Sequence, residues 1–308
     1  MVWRSLVISR PTRLRREHFS LAVEQEATAF VPFEDIAVVV LDHRDITLTH
    51  AVLAACAEYG IGLYVTGQNH QPAGVFLPYL SHSRTTRLLR QQLALSRPLA
   101  KQAWAALVRR KIENQATCLH LAGREGTDRL ESLARRVRSG DAENLEGQAS
   151  AFYFPRLFGH GFQRSDQMAA GRINALLNYG YAILRGAITR AIVAHGLHPP
   201  LGLFHASEQN AFNLADDLIE PFRPLVDLHV FQHTRISSNG AQETEFTPTD
   251  KAALIALLHV DIALPQGSMS VLNAIEYGVE SLVRLLENSE MLLELPRLTG
   301  LQPHPPEV

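Results

Sequence analysis

The sequence predicts an α+β protein of two domains, a small β-rich N-terminal domain followed by a larger all-α C-terminal domain. The chain has 308 residues, of which 46% are hydrophobic and 19% are charged, a composition typical of a globular protein long enough for two cores. Over roughly the first 80 positions, apolar residues fall in short continuous or alternating runs, as in strands. From there to about residue 290 they recur every 3.6 residues, as in amphipathic helices.

The first elements are predicted to be strands. Val7, Val23 and Phe30 lie in short β-branched or aromatic segments, which favour strands. The continuous apolar run from Ile36 to Leu41 is bounded by acidic residues and is typical of a buried strand.

A helix and a further strand follow. Thr49 is a suitable N-cap for a short helix that runs through Tyr59 and ends at Gly60, and Ile61 to Val65 then reads as a strand. We therefore assign residues 1–82 to the N-terminal domain.

The remaining elements are predicted to be helices, with residues 83–294 forming the second domain. Their expected ranges are 83–95, 98–121, 128–137, 145–158, 167–195, 208–218, 248–259 and 268–290. The polar segment 234–249 is expected to be a loop, and residues 295–308, which hold four prolines, are expected to be a disordered tail.

Several classes of protein are disfavoured. The two cysteines, Cys56 and Cys118, are 62 positions apart and form no CxxC motif, so a disulfide framework or a cysteine zinc site is not expected. Apolar runs are far shorter than the roughly 20 residues that a membrane span needs. The N-terminus does not have the pattern of a signal peptide. We expect a cytoplasmic protein.

Charge is unevenly distributed. The net charge is -2, but residues 225–308 hold four basic and 11 acidic residues, whereas residues 1–224 hold 25 basic and 20 acidic ones. Between Arg84 and Lys111 there are eight basic residues and no acidic one. Such a stretch fits either a solvated helix face or contacts to a phosphate backbone.

Two candidate site residues have ordinary structural explanations when taken alone. Glu146 begins a helix, where a carboxylate interacts favourably with the helix N-terminus. His205 follows an apolar segment and is one of 14 histidines, and a histidine in such a position is more often a structural residue than a ligand.

The third candidate is an acidic cluster. Asp216, Asp217 and Glu220 share one helix face, because they are separated by three and four residues. Their repulsion favours a bound cation unless Arg223 neutralises it, and carboxylates with one imidazole suit Mg²⁺ or Mn²⁺. A solvated acidic helix end, stopped by Pro221, is the alternative.

Three longer strings carry a resemblance to a known family. They are Glu146 to Ser150 continued by Tyr153-Phe154, the run from Ile173 to Tyr181, and the run from Ala215 to Asp227. In this order and spacing they resemble the CRISPR-associated spacer integrase, the large metal-dependent subunit of the CRISPR adaptation complex, over nearly the whole chain. The opening Trp3-Arg4-Ser5-Leu6-Val7 is most similar to members from type II systems.

The resemblance implies a site. Carried over residue by residue, the catalytic and metal-ligating positions fall on Glu146, His205 and Glu220, with Mg²⁺ or Mn²⁺ as the expected ion. Asp217 matches an acid beside the third ligand and ranks behind it.

The resemblance also implies a reaction and partners. A 3′-hydroxyl of a prespacer duplex attacks a phosphodiester of the CRISPR repeat, a transesterification that needs no covalent protein–DNA intermediate. The N-terminal domain is expected to dimerise, and the homodimer to join a small ferredoxin-like adaptation subunit and other type II CRISPR proteins. Our own inference assigns DNA contacts to the basic run, namely to Arg84, Arg87, Arg90, Arg109, Arg110 and Lys111.

Two alternatives remain open from the residues. A structure-selective nuclease on branched DNA would use the same metal site with water as the nucleophile. A non-catalytic DNA-binding scaffold would need no convergent ligands.

Overall fold

The structure, a computed structural model, describes residues 4–67, 72–78, 83–165, 171–237 and 247–302. Below, the described residues up to 78 are called the N-terminal part and those from 83 onward the helical part.

The N-terminal part contains eight described strands. They are β1 (Arg4–Ile8), β2 (Thr12–Glu17), β3 (Ser20–Glu24), β4 (Thr28–Pro32), β5 (Ile36–Leu41), β6 (Ile46–Leu48), β7 (Gly62–Thr66) and β8 (Pro72–Phe76).

These strands form two four-stranded sheets. One has the order β1-β5-β7-β8, with β8 antiparallel to β7 and the other pairs parallel. The other has the order β4-β3-β2-β6, in which only β2 and β6 pair in parallel. All six residues of β5 are buried, which confirms the strand predicted from the continuous apolar run. Helix α1 (His50–Glu58) begins after Thr49, as expected, and the chain then turns at Gly60, whose φ is 68°.

The helical part contains most of the predicted helices. They are α2 (Thr85–Leu93), α3 (Arg97–Leu121), α4 (Thr127–Arg136), α5 (Leu145–Phe158), α6 (Arg172–Ala194), α7 (Asn213–Leu218), α8 (Arg223–Ser237), α9 (Pro248–Ala256) and α10 (Val271–Glu287).

The prediction of an all-α second domain is wrong, and the protein is of mixed α/β architecture. Two strands, β9 (Asp261–Leu264) and β10 (Gly267–Ser270), form an antiparallel hairpin within the helical part. The hairpin takes in the first residues of the range 268–290 that we predicted as a helix. Burial alternates along β9, but four residues are too few for a period of two to stand out from a helical period.

Two other predictions differ in extent. Helix α8 was not predicted, and its last residues overlap the loop expected over 234–249. Residues 238–246 of that loop lie outside the described residues. So do residues 167–170 of the helix predicted over 167–195. Helix α7 begins later than predicted because the Asn213 side chain donates to the carbonyls of Pro200 and Ser207, at 3.1 and 2.9 Å. These bonds hold the segment that contains His205 as a loop.

Polar contacts join the N-terminal and helical parts. The Lys251 ammonium binds the Asp42 carboxylate at 2.6 Å, and both side chains are buried. The Tyr64 hydroxyl donates to the Gly186 carbonyl. Val38, Val40 and Tyr64 belong to the same apolar cluster as the helices, so the first sheet packs directly on the helical part.

The segment predicted as a tail is described up to residue 302. Leu295 and Leu298 are buried in the helical core, and Arg297 pairs with Ala263 of β9. Among the described helices, none is both long and apolar enough to cross a membrane.

Candidate active site

Glu146 lies in the first turn of α5, where other residues satisfy the free backbone N–H groups. The Asp141 carboxylate accepts from the N–H groups of Leu145 and Glu146, at 2.9 and 3.0 Å, and the Asn144 side chain accepts from Gly147. The Glu146 carboxylate is therefore not needed as a cap. It instead accepts from the Ser150 hydroxyl at 3.1 Å and binds the Lys111 ammonium.

Glu220 lies in a turn of 3-10 helix between α7 and α8 and is buried. Its carboxylate binds the Arg223 guanidinium at 2.9 Å and the Lys111 ammonium. Burial opposes ionisation of Glu220, but the charges of Arg223 and Lys111 outweigh it and lower the pKa of the carboxyl to about 2. Glu220 is thus an ionised, buried carboxylate at neutral pH.

Lys111 is the cation on which the two glutamates converge. Its side chain is 9% exposed and contacts Glu146 from α5 and Glu220 from the turn after α7. Burial disfavours the charged form of Lys111, but Glu220 and Glu146 reverse the effect, so the pKa of its ammonium is raised. Residues 74 positions apart in sequence therefore meet at one positive charge.

The three side chains line an open cavity of about 460 Å³, which we call the carboxylate pocket. Its wall also carries Arg164, Arg223, Tyr181 and Asp227. Both guanidinium groups lie over the Tyr181 ring, at 5.3 and 4.6 Å from its centre. The pocket thus combines three acidic side chains with three cationic groups.

A buried polar cluster supports this wall. Asp227 accepts hydrogen bonds from the hydroxyls of Tyr153, at 3.0 Å, and Tyr181. Burial raises the pKa of the Asp227 carboxyl to about 6, although both hydrogen bonds oppose that effect.

His205 lies in the loop before α7, and its nearest polar partner is Asp217 rather than either glutamate. The His205 Nδ1 lies 2.7 Å from the Asp217 carboxylate, and this hydrogen bond raises the pKa of the imidazole. Asp217 is fully buried, and it also accepts the backbone N–H groups of Leu203, Phe204 and His205, at 2.6 to 3.1 Å. Its carboxylate is therefore committed to holding the loop and the His205 ring.

The structure thus brings Glu146 and Glu220 together and places His205 with Asp217. Within the described ranges, no three His, Cys, Asp or Glu side chains are grouped so that they could hold a metal ion. The ammonium of Lys111 lies between the two predicted carboxylate ligands.

The basic run divides into surface and interior residues. Arg84 precedes the first residue of α2, and Arg87 and Arg90 lie on the helix. These three residues, which we call the α2 arginines, line one open depression. Arg109 donates to the carbonyl of Val137, and Arg110 pairs with Glu113. The last residue of the run, Lys111, is the buried cation of the carboxylate pocket.

Sequence reasoning did not find the role of Lys111 in the pocket. A signal for its burial was present, since Leu107 and Val108 lie one helical turn before it and are fully buried. A lysine on the apolar face of a helix needs a charge partner, but the sequence does not say which acid that is.

Comparison with solved structures identifies the fold. The chain is similar to a casposase bound to integration product, with 18% identity, a TM-score of 0.72 and coverage of 99% of this chain and 94% of that one. It is also similar to a Cas1 protein from Thermotoga maritima, with 17% identity, a TM-score of 0.70 and coverage of 92% and 97%. The architecture is thus that of Cas1 proteins and casposases.

Sequence similarity then gives the family. The model for CRISPR associated protein Cas1 matches residues 6–258. The CRISPR-associated endonuclease Cas1 of Neisseria meningitidis serogroup C (strain 8013) is 41% identical over 305 residues, 98% of each chain. A second relative, from Pyrobaculum aerophilum, is 28% identical over 74% of this chain and 81% of its own length. The chain belongs to the Cas1 family, as the resemblance of its motifs predicted.

Proposed function

We propose that this chain is a divalent-metal-dependent DNA integrase and endonuclease that inserts prespacer DNA into a CRISPR repeat by 3′-hydroxyl attack on a phosphodiester. The observation that carries the proposal is the convergence of Glu146 and Glu220 on one buried positive charge at an open pocket. The name of the Neisseria relative, an endonuclease, and the similarity in fold to a casposase bound to integration product support it.

Two of the proposed donors, Glu146 and Glu220, suit a hard divalent cation. Two carboxylates already enclose a cationic group in the pocket, and oxygen ligands suit Mg²⁺ and Mn²⁺. Glu146 and Glu220 would hold the ion, His205 is the third proposed ligand, and Asp217 positions His205. When bound, such an ion lowers the pKa of a coordinated hydroxyl and stabilises negative charge on a phosphoryl group.

The chain's own residues prepare the pocket for a phosphodiester. Arg223 and Arg164 line it together with Lys111, so a phosphate that enters meets three cationic groups, of which Lys111 and Arg223 are paired with carboxylates. Arg223 is held by Glu220 and by the Tyr181 ring, which fixes where its guanidinium can donate. Fixed donors stabilise developing charge without having to reorganise during the reaction.

DNA outside the pocket needs contacts to its backbone. The α2 arginines line one surface depression and are proposed to bind phosphates of the prespacer, a contact that is independent of base sequence. Arg109 and Arg110 are proposed as further contacts.

The proposal includes an assembly. A homodimer formed through residues 1–82 would join a small ferredoxin-like adaptation subunit and further type II CRISPR proteins in the cytoplasm. A solved Cas6-RT-Cas1--Cas2 complex contains a chain of similar fold, with a TM-score of 0.71 over 36% of that chain, which supports a second Cas protein as a partner.

A nuclease acting on branched DNA is the second candidate, favoured by the word endonuclease in the relatives' names. It would use the same pocket with water in place of the 3′-hydroxyl. In a DNA-binding scaffold without catalysis, Glu220 would serve only to hold Lys111 and Arg223.

An integration assay tests the proposal. Purified protein, the partner subunit, a labelled prespacer and a supercoiled plasmid bearing the repeat are incubated with Mg²⁺ or Mn²⁺, and joined products are counted. Glu220→Gln should lower the integration rate by about two orders of magnitude or more while prespacer affinity is retained, because most DNA affinity comes from basic residues elsewhere.

The control is Glu131→Gln, which changes an exposed glutamate on α4 and should leave the rate unchanged. Cleavage of branched DNA without joining would favour the nuclease. Integration by Glu220→Gln at the wild-type rate in both ions would refute the proposed role of Glu220.

A further inference from the structure

Phe204 presents an aromatic ring to solvent beside His205. The residue is 53% exposed. Its ring lies on that of Trp104, with centroids 4.3 Å apart and planes inclined by 2°, and Trp104 itself is 5% exposed. One face of Phe204 is therefore fixed on a buried indole while the ring remains accessible.

The loop that carries Phe204 is held tightly. Three successive backbone N–H groups, including that of Phe204, donate to Asp217. The His205 ring stands edge-on to both Trp104 and Phe204, at 5.6 and 5.7 Å. A Cβ at Gly202 would lie 2.8 Å from the Asp217 carboxylate and nearer still to the His205 carbonyl. The ring of Phe204 is thus placed before any ligand arrives.

Basic residues accompany this ring. Arg97 and Lys101 are exposed on α3 and precede Trp104 by seven and three residues, which puts all three on one side of the helix. On the neighbouring helix α2, Gln92 exchanges hydrogen bonds with His198 and donates to the Leu201 carbonyl, which ties the helix of the α2 arginines to the same loop.

We propose that Phe204 is a positioning residue that stacks on an unpaired DNA base next to the reacting phosphodiester. Single strands are bound by exposed aromatic rings that stack on bases, together with basic groups that contact phosphates. The exposed ring of Phe204 lies in this loop, and the basic residues lie on α2 and α3 beside it. Every base has an aromatic face, so the contact is tolerant of sequence. This inference rests on the proposed function, since it assumes that DNA reaches His205.

A structural role for Phe204 makes a different prediction. If the ring served only to cover Trp104, any apolar side chain of similar size would replace it. Phe204→Leu keeps the apolar cover and removes the planar face, and Phe204→Tyr keeps both. Leu292, which follows α10 and lies outside the segment proposed to dimerise, is an apolar residue that is 82% exposed, so Leu292→Ala is the control.

The first measurement is affinity for a duplex with single-stranded 3′ overhangs. Phe204→Leu should weaken binding by about 5- to 150-fold, the range that base stacking contributes, and Phe204→Tyr should bind as the wild type does. The dependence of affinity on salt should be the same in all variants because no charge changes. A fully double-stranded probe should show no difference between the variants.

The second measurement is photo-crosslinking with 5-iodouracil placed at each overhang position. The wild type should give a crosslink at Phe204 for at least one position, and Leu292→Ala should retain it. Wild-type affinity in Phe204→Leu, or the absence of any crosslink to Phe204, would overturn the inference. If the wild type integrates prespacers in that case, the proposed function stands and only the stacking role is refuted.

Discussion

Replacing Lys111 by methionine tests how the carboxylate pocket is held together. The change removes the ammonium that separates Glu146 from Glu220 and leaves two carboxylates facing each other, one of them 8% exposed. Removing one partner of a buried ion pair costs about 3–5 kcal/mol. With an unfolding entropy of about 2.1 cal/mol/K per residue, this corresponds to a fall in Tm of roughly 5–8 °C for a chain of 308 residues. We expect such a fall for Lys111→Met in EDTA.

Thermal unfolding with and without divalent ions is the assay. Mg²⁺ or Mn²⁺ should stabilise Lys111→Met more than the wild type, because the ion replaces the lost positive charge without competing with an ammonium. A second change, Glu146→Gln, should recover part of the lost stability by removing the repulsion. The control is Lys101→Met, which changes an exposed lysine on the same helix. If Lys111→Met unfolds at the wild-type temperature in EDTA, Lys111 does not hold the two carboxylates together.

Three further predictions concern Asp227 in the wall of the carboxylate pocket, the loop that holds His205, and the α2 arginines. Because burial raises the pKa of the Asp227 carboxyl to about 6, the native protein holds this proton more tightly than the unfolded chain. The free energy of unfolding, measured in urea relative to that of Asp227→Asn, should therefore fall by about 2 kcal/mol from pH 4 to pH 7, and an equal pH dependence of the two proteins would contradict this. Gly202→Ala forces the His205 loop to move and should lower the free energy of unfolding by about 1–3 kcal/mol, as measured in urea. An unchanged free energy of unfolding would show that the loop can move without loss of stability. Changing all three α2 arginines to alanine should lower the slope of log affinity against log salt for prespacer DNA by about two to three, and an unchanged slope would assign them to a solvated face.

The sequence carried enough information for the long elements and not for the short ones. Helices such as α3 and α5 span several turns, so their apolar period and their ends could be predicted almost to the residue. The hairpin of β9 and β10 is held by pairing to each other and by the bridge from Ala263 to Arg297. That bridge depends on residues more than 30 positions away, which no local pattern records.

The candidate site, too, could be predicted from the sequence only in part. The family motifs singled out Glu146 and Glu220, and the structure brings these two together. The motifs could not indicate that Lys111 lies between them, because its place depends on how α3 crosses α5 and the turn after α7. The ligand role of His205 stays a prediction, since its ring is bonded to Asp217.

The buried pair of Asp42 and Lys251 has a practical consequence for dissecting this protein. Asp42 follows β5, and Lys251 lies on α9, 209 residues later. A fragment that starts at residue 83 would retain the lysine without this aspartate and would expose the apolar face that receives Val38 and Val40. The helical part is therefore better studied by point substitution in the whole chain, or by supplying residues 1–82 as a separate polypeptide during refolding.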